Sequence, residues 1–441
     1  MSAASPAAQS FNGVIGELVA GRWVDPASGQ VQSIPIRSLE IADTLDGAEL
    51  DLIARLHRGR SIIVVSDEFT RAALGERVFR ALQPLGNVRE FVWKKPRCTR
   101  EGVDELMAAT RDAETLIAVG SGTINDSVKY GTFLTGRDYS VFATSPMSAY
   151  STPTASVSFD GFKQSITCHS AQGVFFDLSV VAKCPPRLIS AAFADVLCRT
   201  TAQVDWLLSH LLLGTPYVDI PYTLLAYDEP GLIAEATQLR TGDFDALARL
   251  TRIAAIMGVA TSFTGTTHVG SMAEHMISHF IDMFAGPEHR GTSHGEQVGV
   301  ATLTLSRLQN WLYCAPRPPV LHATHIPEAD LRARFGAGAE TMIAQTQRKA
   351  LTADAAEALN RKLAAEWDAI AAQLRAVLLP YEVLRGAMKD AGCPLNGADL
   401  GLKLALYRDA VRYSRFIRDR FTSLDVADDA GKLEAFAAAC E

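Results

Sequence analysis

No two cysteines stand at CxxC spacing. The seven present, Cys98, Cys168, Cys184, Cys198, Cys314, Cys393 and Cys440, are scattered and odd in number. That pattern excludes a legible disulfide framework or zinc ribbon and fits reduced thiols in a cytosol. Positive charge is not in excess either. The formal net charge is −7, which argues against a general nucleic-acid binder and mainly implies solubility. No uninterrupted apolar run reaches the roughly 18 residues of a membrane span. The opening MSAASPAAQSFNG lacks a basic stretch followed by an apolar core, so it reads as an unstructured tip. The GxGxxG dinucleotide fingerprint and the GxSxG hydrolase elbow are both missing. There is no repeat of fixed period, and the Ala-rich stretch 336–378 is simply good helix-forming sequence.

What is present is an ordinary globular balance, 48% hydrophobic and 21% charged over 441 residues. That is enough for roughly two or three domains. In the entry segment, up to about residue 60, the turn Asp25–Gly29 separates two strand-like pieces. Ser61–Asp67 is mostly β-branched with a polar exit, as in a buried parallel strand. Helical spacing follows from about Thr70 to Leu82, then a strand at Phe91–Trp93, a helix over about Arg100–Arg111, and strands at Thr115–Val119 and Tyr139–Ala143. Alternation of this kind argues for an α/β sheet with right-handed crossovers. Asp160-Gly161 between Ala155–Phe159 and Gln164–Thr167 signals a hairpin. Past Cys184-Pro185-Pro186 the texture turns helical: Ile189–Leu213, Gly231–Met257, Ala273–Phe284, Gln297–Tyr313 and Ala353–Leu378. The expected division is an α/β nucleotide-binding domain over 1–185 and an all-α domain over 186–441.

Two places could carry chemistry. Gly120-Ser121-Gly122-Thr123-Ile124-Asn125-Asp126 follows a strand, and its glycines let backbone N–H groups approach a phosphate. A helix starting at about Asn125 would add its positive end; a plain strand-to-helix turn reads equally well. The second place is the histidines. His275 and His279, four apart, share a helix face, and His294 stands at the mouth of the next helix. Imidazoles from adjacent helices can converge on one metal, which usually wants a carboxylate and an open position as well. Asp195, set among Ala191, Ala192 and Ala194, could supply the carboxylate. Asp67, at a strand exit, suits either a ribose hydroxyl, favouring NAD over NADP, or a polar cap. Arg415, Arg418 and Arg420 read by default as a solvated helix face.

Taken together these segments resemble the sn-glycerol-1-phosphate dehydrogenase branch of the superfamily of iron-containing alcohol dehydrogenases, glycerol dehydrogenase and 3-dehydroquinate synthase. The resemblance runs from Gly21-Arg22-Trp23 to Ser423-Leu424-Asp425. It is carried by Gly120–Asp126, Phe193-Ala194-Asp195, Glu274-His275 with Ser278-His279, and His294-Gly295-Glu296-Gln297. It implies a dehydroquinate synthase-like fold with the active site in the interdomain cleft. It also implies one divalent metal (Zn, Ni or Fe) on Asp195, His275 and His294, with His279 as a proton-relay or substrate group. NAD(H) or NADP(H) would set its pyrophosphate on Gly120, Ser121, Gly122 and Thr123, with Asp126, Thr144, Ser145 and Thr152 lining the rest. The implied activity interconverts a small polar ketone or aldehyde, phosphorylated or not, and its alcohol. The alternatives are a cyclase using NAD transiently and a catalytically idle nucleotide-binding relative. Beyond a small-molecule substrate, a homo-oligomer is left open. Two departures fall where substrate is handled: Ser148-Ala149 stands where the family has Asp-Gly, and His268 and Met272 stand where it has Arg and Gly.

Overall fold

Apolar β-branched runs become buried parallel strands. Val64 and Val65 are almost completely buried, as are Leu116 to Val119 and Val174 to Phe176. The structure, a computed structural model, describes residues 6–160, 162–286, 289 and 291–441, and of residues 6–12 the backbone only. Six strands form one parallel sheet: β1 (Ser38–Ala42), β2 (Ile62–Asp67), β3 (Val88–Trp93), β4 (Thr115–Gly120), β5 (Asp138–Ala143) and, later in the chain, Gly173–Asp177. Their spatial order is β1, Gly173–Asp177, β5, β4, β2, β3. Parallel pairing needs crossovers, and helices such as α1 (Gly122–Thr135) supply them. Thr154–Phe159 and Phe162–Thr167 pair antiparallel, with Asp160 at φ +50°; Gly161 of the expected turn lies outside the described residues. The turn at Asp25–Gly29 likewise joins two short antiparallel strands, Trp23–Val24 and Val31–Gln32.

The chain divides into two compact units. One is Met1–Ala192 with Val218–Thr267, the other Phe193–Tyr217 with His268–Glu441. The single cut expected near residue 185 misses the return of 218–267 to the first unit. Contacts that helical periodicity does not encode explain it. In α4 (Phe244–Thr264), Gly258 lies so close to the 148–152 loop that a Cβ would collide with Ser151 Oγ and Ser148 O. Ser151 Oγ donates to Ala255 O at 2.8 Å, and Thr152 Oγ1 meets Thr261 Oγ1 at 3.0 Å. The same helix is long and apolar enough to cross a membrane, yet most of it is buried. Its Arg249 and Arg252 pair with Asp228, itself fully buried, at 3.0 and 2.9 Å. It is therefore a core helix.

In the second unit one apolar cluster runs from Val204 through Ile277, Leu305, Leu363 and Leu424 to Cys440. It is built from helices that include α3 (Arg199–Leu213), α5 (Ala273–Phe284) and α6 (His294–Tyr313). The helix expected over Ile189–Leu213 is two, α2 (Pro186–Leu197) and α3, broken at Cys198. Thr200 and Thr201 hydroxyls donate to the carbonyls of Leu197 and Cys198, which pulls helix geometry off line there. The expected unstructured tip is helical from Pro6, in Pro6–Val19; residues 1–5 lie outside the described residues. The α/β-plus-helical architecture is the one expected from the sequence.

Candidate functional site

In the second unit α2, α5 and α6 bring Asp195, His275 and His294 together. Their ligand atoms all lie within 4.8 Å of one another. Both Nε2 atoms face the same oxygen, Asp195 Oδ1, at 3.8 Å from His275 and 3.9 Å from His294. Three donors on one ion with bonds of about 2.1 Å sit roughly 3.4 Å apart when tetrahedral, so a modest contraction would close this triangle. Close helix packing makes the approach feasible. A Cβ on Gly299 of α6 would stand 2.6 Å from Ala194 Cβ, so glycine there lets α6 reach the residue preceding Asp195.

Each imidazole is also held from behind. His275 Nδ1 lies 3.0 Å from Glu274 Oε1, a fully buried carboxylate that also accepts from Met272 N at 2.6 Å. His294 Nδ1 lies 3.1 Å from Ser278 Oγ. Partners on Nδ1 turn Nε2 forward, the arrangement usual for metal-ligating histidines. His279, one turn beyond His275, has its ring centroid 5.6 Å from that of His294 and 6.1 Å from that of His275, so it lines the same cluster. A rival grouping, Cys198 with Glu274 and His275, is disfavoured by the thiol's chemistry. Burial, with Glu274 and Asp195 nearby, pushes the Cys198 thiol well up, and its sulfur donates to Gly270 O at 3.1 Å. To bind an ion the thiol would have to give up that proton and its bond to Gly270 O.

His268 and the arginine cluster differ from expectation. Burial, with Arg420 nearby, pushes His268 down to about 3, so it is neutral and no cationic substitute for the family's arginine. Arg420 itself reaches this segment, donating through Nη1 to Ser271 Oγ at 3.1 Å and to Ser271 O. The solvated face expected for Arg415 is corrected outright. Arg415 is 1% exposed, pairs with Asp425 at 3.2 Å and Asp428 at 2.7 Å, and lies over the Phe416 ring. Lys349 Nζ donates to Arg415 O, Arg420 O and Asp425, locking the segment that presents Arg420. Glu274, Ser278, Gln297, Lys349 and Arg420 all went unread as site-shaping residues. Glu274, Ser278 and Gln297 fall inside the motif segments and so carried a sequence signal, Arg420 fell in the cluster read as a solvated face, and Lys349 carried none.

In the first unit the glycine turn leaves β4 and enters α1, which begins at Gly122 rather than Asn125. Ser121 is the extended N-cap and makes no side-chain cap bond. Gly122 has ordinary negative φ, and a Cβ there would meet nothing closer than Ala149 Cβ at 3.9 Å. Neither backbone nor packing demands glycine, so the space beside this helix start is open to a ligand such as a phosphate. The other residues expected at the cofactor have visible partners. Asp126 accepts from Lys129 Nζ at 3.2 Å, Asn125 Nδ2 at 3.1 Å and Ser156 N at 3.0 Å. Ser145 Oγ meets Tyr150 Oη at 2.8 Å, and Thr144 N bonds Gly120 O at 3.4 Å. Asp67 caps the helix after β2, one carboxylate oxygen accepting from Thr70 N at 2.7 Å. Ser148 opens a short 3-10 turn, Ser148–Tyr150. Lys129, fully buried, organises this loop by donating also to Ala149 O and Thr154 O at 2.8 and 2.9 Å. Nothing in the sequence flagged it, because a lysine inside a helix looks like a surface residue.

Comparison with known proteins agrees with the fold. The iron-containing alcohol dehydrogenase family matches residues 41–185. A glycerol-1-phosphate dehydrogenase [NAD(P)+] of Pyrococcus furiosus is 27% identical over 267 residues, 59% of this chain and 76% of that protein. Its counterpart in Bacillus licheniformis is 22% identical over 408 residues, 91% and 90% of the two chains. The crystal structure of a probable glycerol dehydrogenase from Sinorhizobium meliloti has the same fold, with TM-score 0.58 at 18% identity over 89% of this chain and 95% of that one. Fold, motifs and relatives point the same way: the chain is similar to iron-containing alcohol dehydrogenases and to glycerol-1-phosphate dehydrogenases.

Proposed function

We propose that the protein is an NAD(P)-linked, metal-assisted dehydrogenase that interconverts a small polar ketone or aldehyde and its alcohol. The observation that carries this reading is the Asp195–His275–His294 triangle, with both Nδ1 atoms held from behind and both Nε2 atoms turned to one carboxylate oxygen. When bound, the nicotinamide supplies the hydride and the metal a Lewis acid for the substrate oxygen. The chain's own residues bind and orient. Asp195, His275 and His294 would hold the ion, and Glu274 and Ser278 keep the rings in place. His279 stands close enough to the cluster to pass a proton to or from the substrate oxygen. The backbone of Gly120–Thr123 would cradle the pyrophosphate. With Ser148 in place of an acidic residue and His268 neutral, the substrate contacts differ from those of a glycerol phosphate site. Arg420 supplies positive charge near His268.

The test is NAD(P)H oxidation with a panel of phosphorylated and free trioses, ketoses and aldehydes, with Zn²⁺, Ni²⁺ or Fe²⁺ added back and metal content measured in parallel. Stoichiometric consumption of reduced cofactor, dependent on the ion, is expected. Absence of turnover across the panel together with absence of bound metal would overturn the proposal. Activity without net NADH consumption would point instead to a cyclase.

A further inference from the structure

We propose that Asp282, Gln297 and Ser278 form a hydrogen-bond relay that holds His294 in the tautomer with Nδ1 protonated and the Nε2 lone pair facing Asp195, so that this ligand is aimed before an ion arrives. The inference rests on the reading of His294 as a metal ligand and adds three positioning residues to it.

Four contacts fix where each proton sits. Gln297 Nε2 lies 3.0 Å from Asp282 Oδ1 and 3.0 Å from Thr292 Oγ1. A carboxylate accepts and has no proton to give, so the Gln297 amide must turn its NH2 group to Asp282. That orientation follows from the chemistry of Asp282 and does not depend on how amide atoms are assigned. The Gln297 carbonyl oxygen then faces Ser278 Oγ, 2.8 Å away, and can only accept. Ser278 has a single hydroxyl proton, which goes to Gln297. Toward His294 Nδ1, at 3.1 Å, Ser278 can therefore only accept, so Nδ1 carries the proton. A neutral imidazole protonated at Nδ1 keeps its lone pair on Nε2. That is the nitrogen 3.9 Å from Asp195 Oδ1.

Burial of its two inner members and the helix framework hold the relay, with Asp282 at its exposed outer end. Ser278 and Gln297 are almost completely buried, on α5 and α6. Asp282 sits one turn after Ser278 on the same face of α5, so Gln297 bridges both from the neighbouring helix. Glu296 accepts from Ser293 N at 2.7 Å and from Ser293 Oγ at 2.9 Å, which fixes where α6, and thus His294, begins. His275 is set independently, by the Glu274 carboxylate. The two imidazoles thus reach the same tautomer by different routes, one through a direct carboxylate and one through a carboxylate three hydrogen bonds removed.

The experiment uses the full-length protein, stripped of metal by chelator and labelled with ¹⁵N-histidine, at pH 8. Long-range ¹H–¹⁵N spectra report the tautomer of each ring, with His294→Ala and His275→Ala assigning the signals. Competition with a chromophoric chelator reports the Zn²⁺ Kd. In the wild type, His294 should show protonated Nδ1. Asp282→Asn keeps the shape but lets the amides of residues 282 and 297 face either way, so His294 should populate both tautomers while His275 is unchanged. Gln297→Leu should do the same and raise the Zn²⁺ Kd about 10–100-fold, the usual cost of losing an outer partner of a ligand. Should Gln297→Leu fail to fold, Asp282→Asn still decides the matter, because it removes no packing volume. An Nε2-protonated His294 in the wild type overturns the relay, as does an unchanged tautomer with unchanged Kd in Asp282→Asn. If the wild type binds no Zn²⁺ yet shows the stated tautomer and its loss in Asp282→Asn, the relay stands and the metal-dependent function falls.

Discussion

Asp205 offers the sharpest quantitative test of the helical unit. Its carboxyl is fully buried on α3, where Oδ1 accepts from Ser423 N at 2.9 Å, Gln309 Nε2 at 3.0 Å and Ser423 Oγ. Burial pushes it from the ordinary 3.8 up to about 7, more than these bonds pull it down. The folded state therefore holds a proton that the unfolded chain has already released. Stability is highest below the unfolded value near 4, falls as pH rises through the window from about 4 to 7, and levels off above it. Each tenfold difference in proton affinity between the folded and unfolded states is worth about 1.4 kcal/mol, so between pH 5 and pH 8 this group alone should cost about 2.5 kcal/mol. Asp205→Asn keeps the accepting oxygen and removes the titration. Its new NH2 group changes stability by some constant amount, which cancels when two pH values are compared. Urea unfolding of both proteins, followed by tryptophan fluorescence with Trp206 adjacent to the site, should show the variant gaining about 2.5 kcal/mol on the wild type from pH 5 to pH 8. A change below about 0.5 kcal/mol would mean that the Ser423 and Gln309 bonds keep the carboxylate ionised throughout, and would refute the reasoning.

Four further outcomes are expected. His294→Ala should lose bound metal and nearly all turnover while circular dichroism and Tm stay close to wild type, since the side chain is 37% exposed and not part of the core; retained metal would refute its role as ligand. Gly122→Val should raise the NADH Kd at least about tenfold, roughly 1.4 kcal/mol, by filling the open space at the helix start, and unchanged binding by titration calorimetry would remove the pyrophosphate from that turn. Ser148→Asp should raise kcat/KM for dihydroxyacetone phosphate by about one to two decades, the size of a charge-assisted bond of roughly 1.5–3 kcal/mol. His268→Arg should instead destabilise the fold by placing a second guanidinium near Arg420. A wild type already efficient with dihydroxyacetone phosphate would show that the altered pocket does not alter substrate choice.

Local signals were legible wherever the cause is local. Ala273–Phe284 can be read to the residue, because Met272 precedes a clean apolar period and Gly286-Pro287 ends it. The four-residue spacing of His275 and His279 dictates a shared face wherever the helix lies. Edge and late strands were less legible. Ser38–Ala42 and Gly173–Asp177 pair with each other across about 130 residues of chain, and nothing in either pentapeptide announces that partner.

By itself, then, the sequence determined the alternation of strands and helices, the glycine turn, the histidine spacing and the motif order that carries the resemblance to the iron-containing alcohol dehydrogenases. All of these depend on neighbours within a few residues. Tertiary structure alone decided the matters set by burial and by contacts distant in the chain. It returned 218–267 to the first unit, because Gly258 lets α4 close on the 148–152 loop. It made Arg415 a buried ion-pair centre, because three aspartates of a later helix surround it. It kept His268 neutral, because desolvation and a nearby guanidinium both penalise its charge. It also turned Ser278, Gln297 and Asp282 from ordinary polar residues into the support of a ligand, because hydrogen-bond direction exists only once both helices are in place.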